Sequence, residues 1–324
     1  MGDAPGLKTI LKRGALVTAA NWPVVLVQFI AESLFKLLLG VPVAGGILLV
    51  VLVVGYDLDE LIGGDVREMV TSVFGALVSR PAALGGFVAA ITIVLLGGSV
   101  LMFVTKAGTV ATLVDAERHA GTIERPPLRW PAFQQAFRFS TDRFLDACRH
   151  FWRRYVRLGL FLLLVYGLST GLYLVTVVIG FSLMGERESA EAGPMLWWTV
   201  SAALASTILV VWITLVNFVY LLIQMVVVAD DVSVRQAAGR TLQFVQARTR
   251  HVAGVFLVLL ALVVVATGAS IVVTTALGLI SFVPFVGLAA FPLTALAWFV
   301  RGMVFQYLGL TALGSYLTLY RGHA

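Results

Sequence analysis

Residues 197–229 read WWTVSAALASTILVVWITLVNFVYLLIQMVVVA, 33 positions without a formal charge. At about 1.5 Å per residue this is more helix than a hydrocarbon core of roughly 30 Å requires. Asp230 and Asp231 close the run. A polar, periodic stretch follows at residues 233–250, SVRQAAGRTLQFVQARTR, and the next apolar run begins at once at His251. The unit reads as a span, a short amphipathic helix and a second span. It predicts an all-α, polytopic integral membrane protein.

Composition supports that reading across the chain. Of 324 residues 60% are hydrophobic and only 12% charged, and the mean hydropathy is +0.97. Soluble domains carry about 25% charged residues. A membrane β-barrel would show weak ten-residue alternation, not continuous Leu/Val runs. The net charge of +6 fits anionic lipid headgroups rather than nucleic acid, because the basic residues sit between the apolar runs. Cys148 is the sole cysteine, so no intrachain disulfide can form. His119, His150, His251 and His323 have no metal-ligand spacing. No cofactor or metal is expected.

Working outward, residues 7–19 predict a basic helix on the membrane surface, with Leu7, Ile10, Leu11 and Ala15 on one side and Lys8 and Lys12 on another. Asn21 to Pro23 mark the entry into the bilayer, with Trp22 as an interface anchor. The first apolar run, 24–55, contains Glu32 and Lys36 and is far longer than the apolar region of a signal peptide, so it predicts a retained span. Its VPVAGG interruption at 41–46 allows one kinked helix, the favoured form, or a shallow re-entrant pair. A second surface helix is expected from Asp65. Span two is expected at 84–105, and residues 106–155 form the largest polar region. There Phe133, Phe137, Phe144, Cys148, Phe151 and Tyr155 predict an interfacial helix, broken at Ser140–Thr141, that leads into span three at 156–184. Span four is the opening stretch. Ser233 and Gln236 predict a capping box. Spans five and six follow at 251–279 and 288–317, joined by the turn SFVPFVG at 281–287.

Charge asymmetry sets the expected orientation. The N-terminal segment, residues 106–157, residues 230–250 and the C-terminal tail hold eighteen Lys and Arg. The alternate loops hold only Arg67, Arg80 and Arg187. The positive-inside rule then gives six spans with both termini in the cytoplasm. The expected setting is a bacterial inner membrane, with 106–155 as a cytoplasmic interfacial region. Three segments, 7–110, 133–229 and 232–318, share an order of short polar helix, outgoing span, turn and returning span, which suggests three parallel repeats.

Residues 226–264, VVVADDVSVRQAAGRTLQFVQARTRHVAGVFLVLLALVV, carry a resemblance. A span ends in an acid-bearing turn, an Ala-rich helix with basic residues follows, and the next span begins. This resembles bacterial multi-span proteins related to the membrane domain attached to some glycerophosphodiester phosphodiesterases. The resemblance covers mainly residues 224–263. It implies a six-span membrane module of unsettled function. The catalytic domain of such enzymes is a soluble metal-dependent barrel of about 250 residues, which this sequence does not encode, so no phosphodiesterase activity follows.

Ionisable residues inside spans are the candidates for function. Glu32 and Lys36 are four apart and can share a face. Arg301 lies near the middle of span six, too deep to snorkel easily. Asn217, Tyr220 and Gln224 fall on one face of span four. The functional expectation is a polar intramembrane site of Glu32, Lys36, Asn217, Gln224 and Arg301. The alternative is a structural ion network. An Arg301–Glu32 pair is expected, with Lys36 competing for the carboxylate. HExxH, paired intramembrane aspartates and a phosphate-loop lysine are all missing, so no enzyme is expected. Two roles remain: a non-catalytic protein that organises an assembly or the envelope, with membrane-protein partners, or a transporter or lipid-handling protein. Membrane lipids, including anionic headgroups, are expected partners in both cases.

Overall fold

A computed structural model describes residues 6–54, 81–127, 130–185, 192–281 and 286–322. Every regular element among them is a helix: α1 (Leu7–Ala20), α2 (Trp22–Val54), α3 (Pro81–His119), α4 (Trp130–Ala136), α5 (Thr141–Gly185), α6 (Ala192–Ala229), α7 (Val234–Ala247), α8 (Thr249–Ser281) and α9 (Val286–Arg321). Six of these, α2, α3, α5, α6, α8 and α9, are long and apolar enough to cross a membrane. The chain is an all-α, polytopic membrane protein. The described elements run short, long, long three times, and each short helix passes into its long one through one to four residues. The expected surface helix from Asp65 and most of the 185–193 and 281–287 turns lie outside the described residues.

The first apolar run is one helix, α2, with Pro42 inside it. Of the two forms the sequence allowed, the single helix is the one adopted. A long apolar helix tolerates such an interruption because its other backbone bonds remain satisfied internally. The Ser233 capping box is present: the Ser233 hydroxyl accepts from the Gln236 amide, and the Ser233 amide donates to Gln236 Oε1 at 3.2 Å.

Three short-range expectations are corrected by packing. First, α1 buries against protein the face on which the sequence places its apolar residues. Ile10, Gly14, Val17 and Thr18 are buried, and α1 packs along α9. The contact is close because two glycines face each other. A Cβ on Gly14 would stand 2.6 Å from the Ser315 amide nitrogen and 2.9 Å from the Thr311 carbonyl, and one on Gly314 would meet the Gly14 backbone at 3.2 Å. Second, α3 continues past the expected end of its span at 105 as far as His119. Ala107, Val110, Leu113, Val114 and Ala116 are buried, so 106–119 is a core helix rather than part of a surface region. Its charges reach partners on other helices, which a linear hydropathy reading cannot see. Third, only the first part of the aromatic stripe after residue 133 stays on the surface, with Phe137 45% exposed. The helix breaks where expected, between Ala136 and Thr141. From there, however, Phe144, Cys148, Phe151 and Tyr155 turn into the bundle, and α5 packs on α3. Gly108 of α3 makes room for Cys148 and Phe144.

The core therefore gathers at one end of the bundle, where α1, α4, α7 and the adjoining ends of the six long helices meet. Leu113, Tyr155, Leu222 and Tyr316 are among its largest fully buried side chains. Away from this basic end the long helices expose Leu, Val, Ile and Trp side chains, among them Leu172, Val265 and Trp298, as lipid-facing helices should.

Candidate functional site

The basic end is held by polar groups as well as apolar ones. Asn21, fully buried between α1 and α2, donates to the Ala136 carbonyl at 2.8 Å and accepts from the Arg138 amide at 2.9 Å. It thereby fastens the first helix junction to the second. Arg13 Nε donates to Glu117 Oε1 at 2.7 Å and Nη1 to Glu124 Oε2 at 2.9 Å. Thr318 of α9 donates to the same Glu117 oxygen at 3.1 Å. Partial burial works against the charged form of Arg13, but Glu117 and Glu124 outweigh it and hold the pKa above the usual guanidinium value. Between α6 and α7, Asp230 accepts from Arg240 at 2.5 Å and from the Tyr320 hydroxyl at 2.7 Å. Asp231 accepts from Arg154 at 2.5 Å and lies 3.3 Å from His150. The Arg154 hydrogen bond is the main reason that Asp231 is held below the usual carboxylate range.

The intramembrane candidates divide. Glu32, Lys36 and Arg301 come together in an open cleft of about 560 Å³ between α2 and α9, whose lining includes Phe29, Ser33, Trp298 and Gln306. Lys36 Nζ lies 2.6 Å from Glu32 Oε1, and Gln306 Nε2 donates to Glu32 Oε2. Both carboxylate oxygens are thus engaged without Arg301. The expected Arg301–Glu32 pair does not form, because Lys36, one turn away on the same helix, takes the carboxylate. Among the described residues Arg301 joins no ion pair, and its guanidinium carbon stands 5.9 Å from the Phe305 ring centroid. The close approach of α2 to α9 depends on Gly302, where a Cβ would collide with the Phe29 ring.

Asn217 and Gln224 lie elsewhere. Asn217 is on α6 and faces α5, accepting from the Tyr166 hydroxyl and donating to the Ile213 carbonyl at 3.1 Å. Gln224 is buried on α6, and its backbone carbonyl accepts from the Tyr155 hydroxyl at 2.9 Å. The five-residue site expected from the sequence is therefore a three-residue cleft and two separate α5–α6 contacts.

Two groups escaped the sequence reading. Gln306 is uncharged and is one of many polar residues in the spans, so only proximity to Glu32 marks it. Lys106 stands at the predicted end of span two and was counted with the loop charges. In the fold it is half-buried inside the bundle, its Nζ 5.4 Å from the Tyr220 ring centroid, and the acidic charge it faces is that of Glu32. A lysine at a predicted helix boundary, continued by an apolar periodic run, was the available signal.

No His, Cys, Asp and Glu side chains gather in threes or more to suggest a metal site among the described residues. The fold and the cleft define a class: a multi-pass helical membrane protein with an open cleft between two of its long helices, lined by Glu32, Lys36 and Arg301. No family model matches the chain, and no curated protein or solved structure is significantly similar to it, so the chemistry of the cleft rests on its own residues.

Proposed function

We propose that this chain is a non-catalytic lipid-handling protein that holds an anionic amphiphile in the cleft between α2 and α9. One observation carries the reading: among the described residues, Arg301 opens into that cleft without a carboxylate partner. Arg301 is fifteen residues from the start of α9 and twenty from its end, so at about 1.5 Å per residue it is more than 20 Å from either. A guanidinium exposed at such depth is costly in hydrocarbon unless an anion or water accompanies it. Lys36, whose side chain is 71% exposed, adds a second cation, and Glu32 leaves the cleft with a net charge of about +1. A phosphate or carboxylate headgroup matches this arrangement, and the apolar walls at Phe299 and Trp298 suit its acyl chains. The organising role also open to the sequence requires no such cleft. On this reading the basic end faces the cytoplasm of a bacterium and both termini lie there, as the distribution of Lys and Arg supports.

The test is retention of endogenous lipid. The full chain is extracted in mild detergent and its bound phospholipids are weighed by native mass spectrometry. Wild type should keep an anionic phospholipid that Arg301→Gln loses by roughly tenfold, as expected for removal of a charge-assisted contact. Equal retention by the two proteins would overturn the proposal.

A further inference from the structure

A second cavity lined by arginines lies beside the α4–α5 junction, away from the α2–α9 cleft. It measures about 340 Å³ and is lined by Ala111, Thr112 and Asp115 of α3, by Arg138 in the α4–α5 junction, and by Arg143 in the first turn of α5. The backbone amide of Arg138 is tied to Asn21, which fixes where its side chain begins. The Arg138 guanidinium has no hydrogen bond or ion pair among the described residues, and its Nε is shut off from solvent. An enclosed N–H without a partner is expensive, and a guanidinium lining a polar cavity without a carboxylate of its own is arranged to receive an anion.

The other groups in the cavity agree. Asp115 is the one carboxylate in the lining: His119 Nδ1, hydrogen-bonded to the Asp115 backbone carbonyl at 2.8 Å, is 3.2 Å from it and Arg143 Nη1 3.9 Å away. Arg143 is held only loosely by it, so its remaining donors stay available. The Thr112 hydroxyl is committed to the Gly108 carbonyl at 2.9 Å, which leaves the two arginines as the donors. Their location adds the source of the ligand. Trp130, Phe137 and Trp152 are exposed around this junction, at 70%, 45% and 45%. Exposed Trp beside Arg at the basic end of spans is the pattern of a membrane at headgroup depth.

We propose that this cavity binds a phosphate group through Arg138 and Arg143, presented by a phospholipid headgroup or as free phosphate. The site shares no residue with the α2–α9 cleft and does not depend on that reading.

The experiment follows the thermal unfolding midpoint of the detergent-solubilised full chain under three titrations: dihexanoyl phosphatidylglycerol, inorganic phosphate, and dihexanoylglycerol, which has the same chains and no phosphate. Wild type should show saturable stabilisation by the phospholipid and none of comparable size by dihexanoylglycerol. R138Q/R143Q should weaken the apparent affinity by about tenfold or more. R143Q alone, at a side chain 66% exposed, should weaken it by roughly threefold and serves if the double variant does not fold. R301Q should keep this response, which separates the cavity from the cleft. Saturation by inorganic phosphate that is lost in R143Q would identify free phosphate as a ligand. Saturation by the phospholipid alone, with the same loss, would identify the headgroup. An unchanged response in R143Q, or equal stabilisation by dihexanoylglycerol, would overturn the proposal.

Discussion

Around Arg13, Asp230 and Asp231 at the basic end of the bundle charged side chains come in closed sets, whereas along the α2–α9 cleft they do not. Arg13 reaches two glutamates on the far side of the core, and Asp230 and Asp231 each take an arginine. In the cleft one carboxylate serves Lys36 and Gln306, and Arg301 is left over. The glycines do not follow that division, since a Cβ on Gly302 in the cleft would meet the Phe29 ring. Gly14 is pressed against the α9 backbone, while Gly167 and Gly171 of α5 have nothing within 4 Å. The two settings thus differ in what a substitution can disturb. Around Arg13 and Gly14 it meets protein; along the open faces of the spans it meets lipid, or a ligand. Charge in the closed sets serves the architecture, and charge without a partner among the described residues, at Arg301 as at Arg138, is available for binding.

The comparison can be broken at its strongest point first. Arg13→Leu strands Glu117, whose side chain is 4% exposed, and should cost about 3–5 kcal/mol of stability. The double change with Glu117→Leu should recover much of the loss, as measured by unfolding in detergent. A single variant as stable as wild type would remove the contrast between the regions. Gly14→Val should come next. The new side chain cannot clear the Ser315 amide and the Thr311 carbonyl without parting α1 from α9, at about 1–3 kcal/mol. Gly171→Val, in open space, should leave the unfolding midpoint nearly unchanged.

A smaller effect concerns pH. The carboxyl of Asp231 is held low in the folded protein by Arg154 and His150. Its stabilising contribution is therefore complete above its unfolded value, near 3.9, and is lost as pH falls from there through the depressed folded value. The side chain is 59% exposed, so the contribution stays below about 1 kcal/mol. Unfolding midpoints of wild type and Asp231→Asn should converge as pH drops below about 4. A gap that widens on acidification would contradict the assigned pairing.

The smallest stability effect is the most informative about the cleft. Had Arg301 paired with Glu32, its removal would resemble that of Arg13. With Glu32 satisfied by Lys36 and Gln306, Arg301→Leu should change stability of the lipid-free protein by no more than about 0.5 kcal/mol. A loss comparable to Arg13→Leu would show that Arg301 has a structural partner after all.

The number and character of the spans were legible in the amino-acid sequence because hydrocarbon imposes a one-dimensional requirement. A helix must stay apolar for about twenty residues, and the runs after Trp22, Trp197 and His251 meet it locally. The Ser233–Gln236 cap was legible for the same reason, since its partners are three residues apart. Glu32 and Lys36 were legible as a pair at helical spacing. The tertiary structure alone decided where the long-range partners lie. It turned α1 inward against α9 through Gly14 and Gly314, carried α3 past Lys106 into the core, and set Asn217 and Gln224 apart from the cleft. It gave Glu32 to Gln306, 274 positions away, and left Arg301 with no ion pair among the described residues. Hydropathy records what each residue tolerates. The pairing of two charges depends on distance in space, which the order of residues along six helices does not contain.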